Sequence, residues 1–376
     1  MNTIDLSRRR FGRQAAALAT LPLLNACVLD NLTAVETDYR DAVQQVVDSY
    51  GLPGALAGVR ITDKTPWTRA FGQASVSPRT AMALGSTFPI RDITTSFTVT
   101  LLLLLVRDGV LALDHTIGRY VAGVPNGTRI TLAHLASQQS GLVDYTAQDA
   151  FVRALAANPL RVWAARELAA FALARPAAFL PGAQYQYSAT NAVLLGMVVE
   201  LVTGASLADV LALRILSPSV LSGTAVPATA TLPDPHPTPY TLDLVDGSLA
   251  VQPFISPTAL AGMGAMSSTL DDLLTWGELL GTGSLIGTAL QETRTAEARL
   301  VTNGPEYTRY GLGIGQIGTW WGHTGSGFGF QMATMHDAEA KATIAVMVNA
   351  TPEGGRADLN FAQAIFEALA TVVAGR

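Results

Sequence analysis

The sequence predicts an α/β chain in which strands from both ends build one sheet domain and a mainly helical domain is inserted between them. Three observations carry this. Ala55–Ile61 and Trp67–Phe71 read as two strands of a hairpin. After residue 305 the strand signal returns in Tyr310–Ile317, Trp320–Gly322, Phe328–Met335 and Ala342–Val348, punctuated by glycine. From about residue 88 to 290 the pattern is mostly helical. Hydrophobic residues make up 49% of the chain and charged residues 14%, which excludes a disordered chain and supplies a large core.

Each element has its own signal. Val35, Tyr39, Val43, Val46 and Val47 fall on one face of a helix over residues 35–50. Phe97–Val106 is an apolar run of about ten residues, too short to span a bilayer. It is followed by Arg107-Asp108-Gly109, so it reads as a buried core helix with a glycine stop. Pro227–Pro239, with Pro233, Pro235 and Pro237 between, is expected as an extended surface segment because so many φ angles are fixed. Ala357–Val372 reads as a closing helix. The expected boundaries are 28–87 and 295–376 for the sheet domain and 88–294 for the helical one, with a cleft between them.

Residues 1–27 read as an address. Ser7-Arg8-Arg9-Arg10-Phe11 is a twin-arginine type n-region, and Ala15–Leu24 is a short apolar h-region. Leu24-Asn25-Ala26-Cys27 ends it, and Cys27 is the single cysteine of the chain. A cysteine at that spot is similar to a bacterial lipobox, although Asn25 is an imperfect residue for one. Export and membrane anchoring through a lipid on Cys27 are therefore expected, with an ordinary secretory signal as the alternative.

The basic residues divide very unevenly. Lys64 and Lys341 are the two lysines, and the other 22 basic residues are arginines. Neither lysine follows a glycine, which excludes a Walker P-loop. A net charge of −5 gives no basic field for nucleic acid. The five histidines form no His-x-x-x-His pair and no zinc site is expected. No Gly-x-Ser-x-Gly elbow is present.

Four segments, in order, resemble the serine β-lactamase and D-alanyl-D-alanine carboxypeptidase superfamily, especially its class C and esterase branches. They are Ile130–Leu135 with Ser140–Tyr145, then Pro181-Gly182 through Tyr187-Ser188 with Asn191–Gly196, then Gly264–Trp276, and last Gly322-His323-Thr324-Gly325. The resemblance covers roughly residues 35–370. It implies a β-lactamase/transpeptidase-like fold, an antiparallel sheet flanked by helices with an inserted helical domain. It also implies nucleophilic catalysis without a cofactor. In the family a serine at a helix start is deprotonated by a lysine one turn later in a Ser-x-x-Lys motif, a tyrosine shuttles protons, and two backbone N–H groups hold the oxyanion. One of those N–H groups belongs to the nucleophile and the other lies just beyond the His/Lys-Thr-Gly motif.

The chain departs from the family where that chemistry begins. Phe88–Thr98 corresponds to the nucleophile segment, which places Asp92 at the serine position and Thr95 at the lysine position. A register slip does not restore the motif, because Ile61 precedes Lys64 by three residues and Ala338 precedes Lys341 by three. Tyr187-Ser188-Ala189 also lacks the asparagine of the family's Tyr-x-Asn, an absence common in the esterase branch. Tyr187, His323, Thr324 and Gly325 are retained.

An aspartate where a helix begins is a favoured N-cap, worth about 1 kcal/mol. The same carboxylate would face the oxyanion hole and could occupy it. Two functions follow. In one, the chain keeps the pocket but lacks the family reaction, and binds a cell-wall-type peptide, a small ligand or a partner, with Thr324, Gly325, Ser326 and Ala189 at the ligand. In the other, Asp92 acts as general base or nucleophile with Tyr187 or His323 as its proton partner. Arg91 is expected in solvent, with a pairing to Asp92 or to a ligand carboxylate as the alternative. Gly325–Gly329 reads as a turn, and His134 as a packed or capping residue.

Overall fold

A computed structural model describes residues 26–302, 307–355 and 359–375, with side chains from residue 35 onward. The expected signal segment lies outside these residues up to Asn25, and so does the side chain of Cys27.

The centre is a nine-stranded sheet. Its spatial order runs Arg79–Ala81, Trp67–Val76, Gly54–Ile61, Ala342–Val348, Phe330–Asp337, Trp320–Gly327, Gly315–Ile317, Arg309–Tyr310 and Arg299–Leu300. Every neighbouring pair is antiparallel. The first and last parts of the chain therefore meet at Gly54–Ile61 and Ala342–Val348, where Ala55 pairs with Val348 and Ile61 with Ala342.

Both faces of the sheet are covered, and strand alternation decides which side chain goes where. Ala55, Ala57, Val59, Ile344, Val346 and Val348 join one core with Tyr39, Val43 and Val47 from the helix Ala26–Tyr50 and Phe361, Ile365 and Phe366 from the helix Phe361–Ala374. Leu56, Ala345 and Met347 point the other way, into a second core shared with the middle helices. The helix Leu270–Thr282 lies over this face, with Thr334 Oγ1 donating to Leu273 O at 2.7 Å.

The helix Ile93–Arg107 sits within the second core. Leu101–Leu105 are all at most 3% exposed, so the helix is apolar all round because it is enclosed all round. Phe97 stacks on Trp276 with ring centroids 3.6 Å apart, and Trp276 Nε1 donates to Ser96 Oγ at 2.9 Å. The helix stops where Gly109 takes a φ of 73°. Among the described residues no single helix is long and apolar enough to cross a membrane.

Three local expectations are corrected. Tyr310–Ile317 is interrupted by a bend around Gly313, leaving strands Arg309–Tyr310 and Gly315–Ile317. The Trp320 strand continues to Gly327, so the turn is made by Phe328 and Gly329 at positive φ. The end of the proline-rich segment is not a free surface strand. Pro237 and Pro239 are buried, and Thr238 N donates to Ala74 O at 2.8 Å.

Candidate functional site

Asp92 is placed by a short turn. Phe88–Pro89 pairs with Ser267–Ser268, Ile90 N donates to Met266 O, and Arg91 adopts a φ of 48° before the helix begins at Ile93. Asp92 occupies the helix-start position, but its side chain makes no capping hydrogen bond, which corrects the simple N-cap reading. The carboxylate turns outward instead. Its Oδ1 accepts the Tyr187 hydroxyl at 2.5 Å and its Oδ2 accepts Ser326 N–H at 3.1 Å.

Tyr187 comes from the loop before the helix Ala189–Thr203. The loop is fixed from below by Gln138, a residue that sequence reasoning passed over. Gln138 O accepts Gln186 N–H at 2.9 Å, and its Oε1 accepts Ser188 N–H at 2.9 Å and Asn191 Nδ2 at 2.5 Å. Ser140 Oγ completes the set by donating to Asn191 Oδ1 at 2.6 Å. Gln138 lies between the two motif stretches Ile130–Leu135 and Ser140–Tyr145, and its φ of 59° is the mark of a tight turn there. Within the first stretch His134 does cap its helix, with Nδ1 accepting Thr131 N–H.

Ser326 lies on the strand Trp320–Gly327, which runs close beside the Asp92 turn. A Cβ on Gly325 would sit 2.6 Å from Ile90 O and 3.0 Å from Asp92 N, so glycine is required for the strand to approach. That approach brings Ser326 N–H to Asp92.

The electrostatics follow from burial and from the neighbouring acids. Burial pushes the Asp92 carboxyl above its ordinary value, against the opposing hydrogen bonds from Tyr187 and Ser326 N–H. Burial, and then the Asp92 charge, push the Tyr187 phenol well above its ordinary value, so Tyr187 holds its proton and donates. Asp144, also missed as a functional residue, is raised by burial and by Asp92, and it in turn raises Tyr187. Tyr187 is 39% exposed and Asp92 partly exposed, so the pair is open to a ligand.

The other expected residues fall differently. Thr95 is 3% exposed and its hydroxyl donates to Met263 O at 3.4 Å. His323 is not a partner of Asp92. Its Nδ1 donates to Thr324 O at 2.6 Å, which leaves Nε2 to accept the Tyr310 hydroxyl at 2.9 Å. Burial lowers its pKa to about 4, so it is neutral at pH 7. Thr324 and Ala189, expected at the ligand, are both buried. The Thr324 hydroxyl pairs with the Tyr307 hydroxyl at 2.7 Å. Arg91 is not in solvent. It is 5% exposed, its Nε donates to Gly327 O at 3.0 Å, and its guanidinium lies 5.4 Å and 5.5 Å from the Phe328 and Phe330 ring centres. Among the described residues no group of three acids, histidines or cysteines is placed to hold a metal.

A tyrosine, a helix start and a glycine-bearing strand meeting at one point is the geometry that the sequence resemblance implies, and residues 39–368 match the beta-lactamase family profile. The chain belongs to the beta-lactamase family. Among curated relatives it is similar to a D-aminopeptidase of Brucella ovis, 27% identical over 310 residues, and to one of Cereibacter sphaeroides, 28% identical over 328. These alignments cover 82% of this chain but 58% and 60% of the relatives, so the chain spans about three fifths of their length. Among solved structures it is similar to a D-stereospecific amidohydrolase from Streptomyces sp., with TM-score 0.74 and 28% identity, covering 87% of this chain and 97% of that one. A D-amino acid amidase from Ochrobactrum anthropi SV3 shares the fold at TM-score 0.79 and 22% identity, covering 90% and 99%. This beta-lactamase family chain thus has the mixed α/β fold of serine hydrolases, yet contains no Ser-x-x-Lys.

Proposed function

We propose that this family member is a catalytically impaired homologue that binds a small ligand or cell-wall-type peptide in the Asp92 cleft. One observation carries the reading. The Asp92 carboxylate takes up Ser326 N–H and the Tyr187 hydroxyl. In the family an N–H at the place of Ser326, just beyond the His-Thr-Gly motif, is one of the two that hold the oxyanion. A carboxylate seated there blocks the position and repels developing negative charge. Removing a serine-type nucleophile or its base costs about a millionfold in rate, and here neither is present. Asp92 instead offers a ligand a hydrogen-bond acceptor. An ammonium or amide N–H fits it, and the D-amino acid amides named for the relatives belong to that class. The address segment and Cys27 make the protein an exported, lipid-anchored one in this reading.

A second reading rests on the 2.5 Å Tyr187–Asp92 bond. In it, Asp92 acts as general base or nucleophile and Tyr187 handles the proton.

The test restores the missing pair. Asp92→Ser combined with Thr95→Lys is expected to gain hydrolysis of p-nitrophenyl esters where the parent protein has none. Continued inactivity of a folded double variant would contradict the view that the rest of the cleft is intact.

A further inference from the structure

We propose that Tyr307 closes the strand edge beside Asp92 to a peptide backbone, so that the cleft takes a compact amine or primary amide and not an extended peptide. The inference rests on the ligand-binding reading of the Asp92 cleft and narrows its ligand. The strand Trp320–Gly327 is paired with Gly315–Ile317 only as far as Gly322, which lies opposite Gly315. Beyond Gly322 it has Phe330–Asp337 on one side and the cleft on the other. Alternation turns the N–H and C=O of every second residue towards such an edge. Ser326 N–H reaches Asp92 across it, so Thr324 and Ser326 are the residues that face it. An unpaired edge accepts an extended peptide as an added strand through main-chain hydrogen bonds.

Here side chains of the protein itself take those bonds. The Tyr307 hydroxyl accepts Thr324 N–H at 2.7 Å, His323 Nδ1 donates to Thr324 O at 2.6 Å, and Asp92 Oδ2 accepts Ser326 N–H. The Tyr307 ring lies over the end of the neighbouring strand, where a Cβ on Gly315 would come within 2.2 Å of it. Tyr310 packs against Tyr307 at 5.4 Å between ring centres, and Tyr185, from the Tyr187 loop, packs against Tyr310 at 5.5 Å. Tyr307 and Thr324 are both buried, so the cover is closed. A peptide that took Thr324 N–H would exchange one hydrogen bond for another and uncover the ring, so strand addition brings no net gain. The groups left to a ligand are the Asp92 carboxylate and the Ser326 C=O. Both are acceptors. A small molecule that brings N–H donors and needs no backbone pairing fits them.

The experiment titrates the full chain, labelled with nitrogen-15, with acetyl-D-alanyl-D-alanine amide, an uncharged peptide that Asp92 does not repel. The Thr324 and Ser326 amide resonances report on the edge. Two variants open it. Tyr307→Leu keeps an apolar side chain against Gly315 and Tyr310 but does not reach Thr324, and Tyr307→Ala removes the cover altogether. The parent protein is expected to show no saturable shift with the peptide. The variants are expected to bind it saturably, at least about tenfold more tightly than the parent's detection limit, with both amides moving. A structural role alone would give no such gain. Saturable peptide binding by the parent that moves the Thr324 amide, no gain in either folded variant, or a gain that leaves both amides unmoved would overturn the proposal. The parent is titrated with D-phenylalanine amide as well. Failure of that probe to bind would contradict the ligand-binding reading of the cleft, while the peptide series still decides the part played by Tyr307.

Discussion

The Tyr187 hydroxyl donates to Asp92 Oδ1 at 2.5 Å, joining two residues 95 positions apart in the chain. The bond settles the orientation of the Asp92 carboxylate. With Oδ1 on Tyr187, Oδ2 meets Ser326 N–H, and the carboxylate spans the cleft from the helical side to the edge of the sheet.

That position makes stability depend on pH in an unusual sense. Burial raises the folded pKa of Asp92 above its unfolded value. Such a group binds its proton more tightly in the folded protein, so its contribution is most favourable below roughly pH 4 and declines as pH rises through the folded value. Asp92→Asn does not titrate. Urea unfolding of both proteins between pH 4 and 7 should therefore show the variant gaining on the parent as pH rises. A difference that stays constant across the range would contradict it.

His323 predicts the opposite slope. Its folded pKa lies near 4 and its unfolded one near 6.5, so the unfolded chain binds more protons in that window. Stability from this group is lost as pH falls from about 6.5 towards 4, at no more than about 1.4 kcal/mol per pH unit. His323→Gln should remove that part of the slope and leave stability at pH 7 lowered by the altered bond to Tyr310. The same denaturant series reads both effects.

The close approach at Gly325 gives a steric prediction. The two atoms nearest to an added Cβ are backbone atoms, Ile90 O and Asp92 N, which cannot swing aside as a side chain would. Gly325→Ala should destabilise by about 1–3 kcal/mol and separate Ser326 N–H from Asp92. Ser326→Ala keeps the backbone N–H and should change stability by less than about 1 kcal/mol. Similar losses in the two variants would show that the strand has room to move.

Much of the fold was legible because its signals are local. The buried leucine run, the hairpin at Gly54–Val76 and the glycine-punctuated strands each follow from composition and period. The site was legible in part. The two-lysine count rules out Ser-x-x-Lys without any structure, and Tyr187 is found beside Asp92. What stayed hidden depends on distant partners. Arg91 is buried because Gly327, Phe328 and Phe330, more than 200 residues away, cover it. His323 turns from the cleft because the Thr324 carbonyl and the Tyr310 hydroxyl hold its two ring nitrogens. Gln138 carries the Tyr187 loop through bonds to Gln186, Ser188 and Asn191, and nothing in its immediate neighbours announces this. The glycines at 322, 325 and 327 weaken local strand propensity, and pairing with Phe330–Asp337 overrides them.

With Asp92 on Ser326 N–H, where the family reaction would hold its oxyanion, the proposed function is binding without turnover. The most direct measurement is a hydrolysis screen of the purified protein beside Asp92→Ala, using p-nitrophenyl acetate, a chromogenic cephalosporin and D-phenylalanine amide. No turnover above the uncatalysed rate is expected for either protein. Robust turnover by the parent protein that Asp92→Ala abolishes would contradict it and establish Asp92 as a working catalytic group.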